Sequence, residues 1–349
     1  MKSIFINIHG IRISLFTDCN EFYDFVQKDL YYFLCNDKSK DVEINANIYF
    51  NKSIKDIDLS KCDKIGANAY KNGNELIFSE NKYDVKVSLC NEEIFINAFI
   101  KDNKGKKELF KEFIKKILGK SIDKNNYLLH VLRKFIIFPT FYYFESFRST
   151  YVMHASAFTY NDKCFVLAGL ANIGKSTNSL VSTFDLDGKF LSDNYLIYDV
   201  KKVYSFPELL RVSDDTKNMI INKDKLGTHK YTRAHRKLYE IEKQYILDYS
   251  KVDVLIIPSL GNEFHIEELE LNEAIEFILS SNEYVQEFHQ QEYVALISRL
   301  HKCNKIKNLE KVNILKELLR DSKLFSVSFN KNLKPTENIK ELYEHCFCK

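Results

Sequence analysis

The stretch CFVLAGLANIGKSTNSL (residues 164–180) decides the fold of the central part of this 349-residue chain. Residues 164–168 are apolar throughout, which is typical of a buried strand. They lead directly into a loop that contains Gly169 and Gly174, and a helix is expected to begin at about Ser176. The stretch therefore predicts a strand, a glycine-rich loop and a helix in immediate succession.

The loop fits the pattern G-x-x-x-x-G-K-[ST], in which backbone N–H groups and the helix N-terminus converge on phosphate oxygens. Lys175 is expected to neutralise the β- and γ-phosphates of ATP, and the Ser176 hydroxyl to bind Mg²⁺. The competing interpretation is an ordinary strand–turn–helix that happens to contain glycines, and the flanking strand and helix favour phosphate binding. The expected nucleotide-binding residues are Gly169, Leu170, Ala171, Asn172, Ile173, Gly174, Lys175, Ser176 and Thr177.

Composition narrows the classes of protein that the chain can belong to. With 51 basic and 48 acidic residues the net charge is +3, which does not predict a nucleic-acid-binding protein. The most apolar run, residues 135–144, is too short to cross a bilayer, and the first residues lack a signal-peptide pattern. We therefore expect no membrane partner and a cytoplasmic location.

The eight cysteines are scattered, which favours free thiols over a disulfide framework. A metal site at His345, Cys346 and Cys348 is a weak alternative, since a chain terminus seldom supplies a full ligand set. The other candidate histidines, at 235, 265, 289 and 301, show no ligand spacing and are expected at or near the surface.

Residues 1–100 predict an antiparallel β-rich region with a hairpin at Gly10 and one helix over 20–34. Residues 101–120 predict an amphipathic helix with a solvated lysine face, and a further helix is expected over 125–147, interrupted near Pro139. The other predicted strands of the chain span 42–50, 75–80, 83–90, 94–100, 151–160, 164–169, two short pieces within 189–199, and 251–260. C-terminal helices are predicted within residues 271–321.

Polar residues flank the loop on the neighbouring predicted strands. His154 lies in the strand before the loop, and Asp193 with Asn194 interrupts the segment after the helix. These side chains and Lys175 are expected to converge on one γ-phosphate. Arg211 is an equally balanced candidate for the acceptor site or for a structural ion pair, whereas Arg233 and Arg236 are better explained as solvated residues.

The segments MHASAFTYNDKCFVLAGLANIGKSTNSL (153–180), LSDNYLIYD (191–199) and YSFPELLRV (204–212) resemble the C-terminal domain of HPr kinase/phosphorylase. More distantly, they resemble the ATP-dependent phosphoenolpyruvate carboxykinases. The resemblance covers roughly residues 125–260, and residues 1–100 do not resemble the N-terminal domain of HPr kinase. It implies an α/β or α+β chain with a P-loop core, in which His154, Lys175 and Asp193 are catalytic and Ser176 and Asp193 bind Mg²⁺.

One departure from that family bears on activity. The family's adjacent aspartates fall on Asp193 and Asn194, and the second aspartate is the family's general base. An amide accepts no proton near neutral pH, so Asn194 cannot take that role, and a one-residue shift would give it to Asp193. The glycine-rich phosphorylase signature is also missing, so HPr is not predicted as the acceptor.

The expected domains are 1–124, β-rich; 125–265, the ATP-binding core; and 266–349, helical. The expected function is transfer of the γ-phosphoryl group of ATP to a hydroxyl of a peptide, protein or small metabolite. The main alternative is an ATP-binding accessory protein, without transfer, in a peptide- or glycan-modification pathway. A switch NTPase is less favoured, because the strand at 251–260 ends without an acidic residue. Whether the chain forms a homo-oligomer stays open.

Overall fold

The computed structural model describes residues 1–36, 41–54, 59–101, 124–170, 173–233, 236–285 and 307–348. The chain is mixed α and β, with several sheets, and it divides into two compact units. The first unit contains the described residues of Met1–Arg148, and the second contains the described residues from Ser149 onward. No described helix is long and apolar enough to cross a membrane.

The first unit is built on a nine-stranded sheet in the order β3-β1-β2-β4-β9-β8-β7-β6-β5. Its strands are β1 (Lys2–Ile8), β2 (Ile11–Thr17), β3 (Leu34–Cys35), β4 (Ile44–Phe50), β5 (Asp63–Lys64), β6 (Ala69–Asn72), β7 (Glu75–Ser79), β8 (Tyr83–Cys90) and β9 (Glu93–Ile100). Its helices are α1 (Asn20–Asp29), α2 (Lys124–Leu132) and α3 (Phe138–Phe147), and a 3₁₀ turn spans Leu59–Lys61.

The predicted hairpin at Gly10 and the four predicted strands of this region are confirmed, but the antiparallel arrangement is wrong in two places. β2 pairs in parallel with β4, and β4 pairs in parallel with β9. Helix α1 forms the crossover between β2 and β4, and such a crossover connects parallel strands. The predicted helix over 20–34 ends at Asp29, because the chain turns there to place β3 beside β1.

The interruption predicted near Pro139 is confirmed as a π-helical segment, Arg133–Ile137, between α2 and α3. Proline lacks a backbone N–H and clashes with the carbonyl four residues earlier, so the helix widens before it. The predicted helix at 101–120 lies outside the described residues, except for residue 101.

The second unit contains three sheets of six, four and three strands. Its strands are β10 (Tyr151–Met153), β11 (Ala155–Tyr160), β12 (Lys163–Ala168), β13 (Phe190–Ser192), β14 (Leu196–Tyr198), β15 (Val203–Tyr204), β16 (Leu210–Val212), β17 (His229–Arg233), β18 (Arg236–Tyr239), β19 (Tyr249–Ser250), β20 (Val254–Gly261), β21 (His265–Glu268) and β22 (Lys323–Asn330). Its helices are α4 (Lys175–Asp185), α5 (Asp214–Met219), α6 (Leu271–Val285), α7 (Lys307–Leu319) and α8 (Pro335–Phe347), with 3₁₀ turns at Lys223–Leu226 and Lys243–Tyr245.

The six-stranded sheet has the order β13-β11-β12-β20-β22-β21, and β12, β20 and β22 are parallel. Apolar side chains of α6 and α7 join the buried core of the strands, while α4 contacts β11 and β13 and α8 contacts β22. The β11–β12 turn has positive φ at both Asn161 and Asp162, the type I′ geometry that suits a two-residue hairpin.

The prediction that residues 266–349 are helical is wrong for β21 and β22. β22 pairs with β20 in the six-stranded sheet. From Phe325 onward its residues are alternately buried and partly buried, and its sequence, KLFSVSFN, alternates between apolar and polar residues over the same positions. That period of two is typical of a strand. The strand was not predicted because the segments on either side of it, which form α6, α7 and α8, are helical. The helix predicted around residues 292–303 lies outside the described residues.

Candidate active site

The candidate site lies at the edge of the six-stranded sheet where the parallel strands β12, β20 and β22 end. β11 is antiparallel to β12, so its first residues lie at the same edge, and so does the end of β13. In open α/β sheets, ligands bind at the carboxyl ends of the parallel strands. Here that edge borders a cavity of about 530 Å³.

The glycine-rich loop follows β12 and needs glycine at two positions. Gly169 has φ 150°, and a Cβ placed on it would lie 3.0 Å from Ile173 Cδ1. Gly174 has φ 84°, a left-handed conformation, and is the N-cap of α4. The Asn178 backbone N–H and side-chain amide both donate to the Gly174 carbonyl, which fixes the helix start. The loop therefore enters the helix by a turn that residues with a Cβ seldom adopt.

Lys175 is buried at the first turn of α4, with 6% of its surface exposed. Its ammonium donates to the carbonyl oxygens of Gly169, at 2.6 Å, and Leu170, at 2.5 Å. Burial lowers the pKa of Lys175 to about 8, and the negative charge of Asp193 opposes that shift. A cation is thus held inside the loop at a cost in desolvation.

The other expected phosphate residues are distributed around Lys175. Gly174, Ser176 and Thr177 line the cavity, and the Thr177 hydroxyl lies 3.4 Å from that of Thr216 on α5. Leu170 is 49% exposed. The remaining two predicted residues, Ala171 and Asn172, lie outside the described residues.

His154 stands at a break between two strands. The segment predicted as a single strand over 151–160 divides there, because β10 joins the four-stranded sheet and β11 the six-stranded one. The backbone N–H of His154 donates to Asn282 Oδ1 on α6, at 2.8 Å. Burial, and then the charge of Lys175, lowers the pKa of His154 to about 4. The ring that lines the cavity is therefore neutral at pH 7 and works as a hydrogen-bonding group.

Asp193 and Asn194 stand at a second break of the same kind. The interruption predicted there is confirmed, since β13 ends at Ser192 and β14 begins at Leu196 in the other sheet. Ser156 Oγ donates to the backbone carbonyl and to Oδ1 of Asp193, each at 3.0 Å. This pair of contacts orients the carboxylate at the edge of the cavity, beside Lys175 and His154.

The side chain of Asn194 is held between two charged residues. Its amide nitrogen donates to Glu208 Oε2, and its oxygen accepts from Arg211 Nη2, both at 2.9 Å. An aspartate at this position would place a second carboxylate against Glu208. The amide thus suits its surroundings, and Arg211 both lines the cavity and donates to Asn194.

Three contributing residues were missed by sequence reasoning. Ser156 and Glu208 lie inside the segments that carry the resemblance, so a systematic inspection of their polar residues would have found them. Asn282 lies on α6, far along the chain, and no local pattern marks it. We call His154, Asp193, Asn194 and Arg211 the polar wall of the cavity.

No model of a known protein family and no curated protein sequence matches the chain. The resemblance to HPr kinase therefore rests on the quoted motifs alone.

The remaining candidates contribute less to the site. His265 is exposed on β21, and histidines 235, 289 and 301 lie outside the described residues. Arg233 and Arg236 end and begin the paired strands β17 and β18. Among the described residues, no group of three or more His, Cys, Asp or Glu side chains is placed to hold a metal ion, and seven of the cysteines are free thiols.

Proposed function

We propose that the chain is an ATP- and Mg²⁺-dependent phosphotransferase that acts on a hydroxyl group of a peptide, protein or small metabolite. The observation that supports this most strongly is the convergence of Lys175, Asp193, His154 and Arg211 on one cavity at the carboxyl edge of the sheet. The arrangement combines cations for phosphate with a carboxylate that can accept a proton.

In this proposal the backbone of the loop and the first turn of α4 bind the phosphates, since helix N-termini favour anions. The Lys175 ammonium exchanges its loop carbonyl partners for β- and γ-phosphate oxygens. Arg211 offers guanidinium donors to the charge that develops on the γ-phosphoryl group.

Mg²⁺ would be held by Ser176 and Asp193 together with phosphate oxygens. Magnesium is commonly bound by one or two carboxylates plus phosphates and waters, so a single carboxylate can take part in such a site. The ion supplies neutralisation of phosphate charge when it is bound.

The proposed transfer is a single displacement at the γ-phosphorus. The acceptor oxygen forms a bond to the γ-phosphorus, its proton passes to the Asp193 carboxylate, and the bond from the γ-phosphorus to the β–γ bridging oxygen breaks to release ADP. Neutral His154 orients the acceptor by a hydrogen bond. Phosphoryl transfer depends mainly on positioning and electrostatics, so an amide at position 194 is compatible with activity.

A second function is favoured by one observation. Asn194 engages Glu208 and Arg211 and has no proton-accepting capacity, an arrangement that also suits an ATP-binding accessory protein in which no phosphate moves. In that case ATP occupancy would order a surface for a partner in a peptide- or glycan-modification pathway.

Label transfer from γ-labelled ATP separates the two functions. The protein is incubated with Mg²⁺, labelled ATP and fractionated peptides, proteins and metabolites of its host cell. A phosphotransferase labels an acceptor, and Lys175→Ala and Asp193→Asn abolish the labelling, whereas the exposed-residue controls Lys201→Ala and Asp162→Asn retain it. ATP binding with no labelled acceptor in any fraction contradicts the phosphotransferase and supports the accessory protein.

A further inference from the structure

The side of the cavity formed by the ends of β20 and β22 carries accessible apolar side chains among polar ones. The apolar residues are Leu260 at the end of β20, Leu333 in the connection from β22 to α8, and Pro335 at the start of α8, and we call these three residues the apolar wall. The polar residues that line the cavity on this side are Asn330, Lys331 and Asn338. Leu260 is 52% exposed and Leu333 is 38% exposed. Large aliphatic side chains left accessible inside a cavity, beside a few polar groups, are typical of a small-molecule site.

The apolar wall adjoins the glycine-rich loop directly. A Cβ placed on Gly174 would lie 3.7 Å from Leu260 Cδ2, so the surface of Leu260 begins where the loop ends. The order of strands in the sheet puts β12 and its loop between β11 and β13 on one side and β20 and β22 on the other. The polar wall and the apolar wall therefore flank the loop on opposite sides.

The backbone that carries the apolar wall is held by several hydrogen bonds. Lys331 N–H donates to the Gly261 carbonyl at 3.0 Å, and Leu333 N–H donates to the Asn330 carbonyl at 3.2 Å. The buried side chain of Asn338 accepts from the Asn330 N–H and donates to its carbonyl, each at 3.0 Å. These bonds tie β20, β22 and α8 together, so the wall is organised before a ligand binds.

We infer that the apolar wall binds the purine base of the nucleoside triphosphate. This inference rests on the proposed function, because it takes the phosphates to lie on the loop. The reacting γ-phosphoryl group must point towards Asp193, so the opposite end of the nucleotide extends towards β20 and β22. There the flat face of a purine packs on Leu260 and Leu333, which lose water-exposed apolar surface as it binds.

Outside the apolar wall, two further apolar residues line the cavity, the buried Phe329 and the exposed Met219, and Met219 serves as a matched comparison. Met219 on α5 is 49% exposed and also lines the cavity, on the side of Thr216. Its neighbours along the wall, Ser213 and Asp215, are polar. Leu260, Leu333 and Pro335 together present more apolar surface to the cavity than the single side chain of Met219, so the base is assigned to Leu260 and Leu333.

The test compares the binding of Mg·ATP with that of magnesium tripolyphosphate, which lacks a base, by titration calorimetry. The double substitution Leu260→Asn and Leu333→Asn should weaken ATP binding about tenfold, the loss expected if the base covers about half of each leucine side chain. The affinity for tripolyphosphate should stay within about twofold of the native value. Met219→Asn should change neither. Leu333→Ala adds no polar group and should weaken ATP binding about threefold. It provides a second test if the double variant does not fold.

The inference is overturned if the double variant and Leu333→Ala bind ATP as the native protein does, if both ligands weaken in parallel, or if Met219→Asn alone weakens ATP binding. A native protein that binds tripolyphosphate as tightly as ATP also contradicts the base site, while the proposed phosphate site stands. A native protein that binds neither ligand contradicts the proposed function itself.

Discussion

The polar wall and the apolar wall of the cavity are built in different ways from the same sheet. The polar wall arises where two strands break, at His154 and at Asp193–Asn194, and pass from one sheet into another. The apolar wall stands at the ends of β20 and β22, which run unbroken side by side over eight residue pairs. Where a strand breaks, it loses backbone hydrogen bonds to its neighbours in the sheet. In this chain the two breaks hold His154, Asp193 and Asn194, the polar residues that the proposed chemistry uses.

The glycine-rich loop and the polar wall also differ from the apolar wall in the electrostatic cost of burying their side chains. Lys175 and His154 both have a lowered pKa that burial causes, so the folded chain disfavours their charged forms. Solvent-accessible leucines on the apolar wall impose no such electrostatic penalty. At pH 7 the cost falls on Lys175, which is charged in both the folded and the unfolded chain, whereas His154 is neutral in the folded chain.

The largest effect is expected on the polar wall at Asp193. Asp193→Asn preserves shape but removes the proton acceptor and a proposed Mg²⁺ ligand, so phosphoryl transfer should fall about a thousandfold. Binding of ATP in the absence of Mg²⁺ should change little, because the loop contacts are retained. Labelled-acceptor formation measures the rate, and calorimetry measures the affinity. Full activity in this variant would show that Asp193 is not the general base. The control Asp162→Asn, in the exposed β11–β12 turn, should behave as the native protein.

The second prediction concerns Lys175. Lys175→Met should weaken Mg·ATP binding about a hundredfold, the loss expected for a pair of charge-assisted contacts. The pKa of about 8 lies below the unfolded value of 10.5, so the charge is unfavourable in the fold at pH 7, and this cost disappears as pH rises from about 8 towards 10.5. The variant should therefore be about 1 kcal/mol more stable at pH 7, after allowance for the lost carbonyl contacts.

Urea unfolding with Lys201→Met as the matched control checks this prediction. Lys201 is exposed in the turn after β14, so its substitution should leave both ATP affinity and stability unchanged. A Lys175→Met protein that is strongly destabilised would show that the ammonium is a structural group.

The third prediction concerns pH and His154. Its folded pKa of about 4 lies below the unfolded value of 6.5, so the unfolded chain binds more protons between those values. The contribution of the neutral ring is fully present above pH 6.5 and is lost as pH falls towards 4. His154→Asn should therefore reduce the loss of stability between pH 7 and pH 4.5 by about 2 kcal/mol.

Urea unfolding across that pH range provides the measurement. His265→Asn, at an exposed position on β21, should leave the pH dependence of the native protein unchanged. Identical pH dependence in the native and His154→Asn proteins would contradict the burial of a neutral imidazole.

The smallest effect is expected at Asn194. Asn194→Asp sets a carboxylate against Glu208 and removes the donated hydrogen bond, so unfolding should be easier by about 1 kcal/mol at pH 7.5. Two adjacent carboxylates raise the pKa of the pair, so the defect should lessen at pH 5. The exposed Asn262→Asp is the control, and a more stable Asn194→Asp protein would contradict the contact with Glu208.

Local patterns predicted those parts of the fold that depend on local chemistry. The hairpin at Gly10, the interruption before Pro139 and the break at Asp193–Asn194 all follow from turn chemistry and periodicity over a few residues. The parallel pairing of β4 with β2 and β9, and the insertion of β22 beside β20, depend on crossovers between distant segments. Periodicity does not encode such pairings.

The same division holds for the site. The motif predicted Lys175 and Ser176, the predicted break after the helix pointed to Asp193, and His154 was predicted as a polar residue in the strand before the loop. The break of that strand at His154 was not predicted. Glu208 lies in a segment that the sequence analysis quoted, but it was not predicted as a site residue. Its place in the site depends on the contact with Asn194, which the sequence does not show. No local pattern marks Leu260 or Leu333, because the pairing of β20 and β22 is what brings Leu260 beside Gly174 and both leucines into the cavity lining.

A crystal structure of the protein with Mg²⁺ and a non-hydrolysable ATP analogue tests the central claim most directly. We predict triphosphate density along Gly169–Thr177, with the γ-phosphate facing Asp193 and the base against Leu260 and Leu333. Nucleotide bound elsewhere, or crystals that stay free of it at millimolar concentrations, would contradict the assignment of this cavity as a nucleotide site.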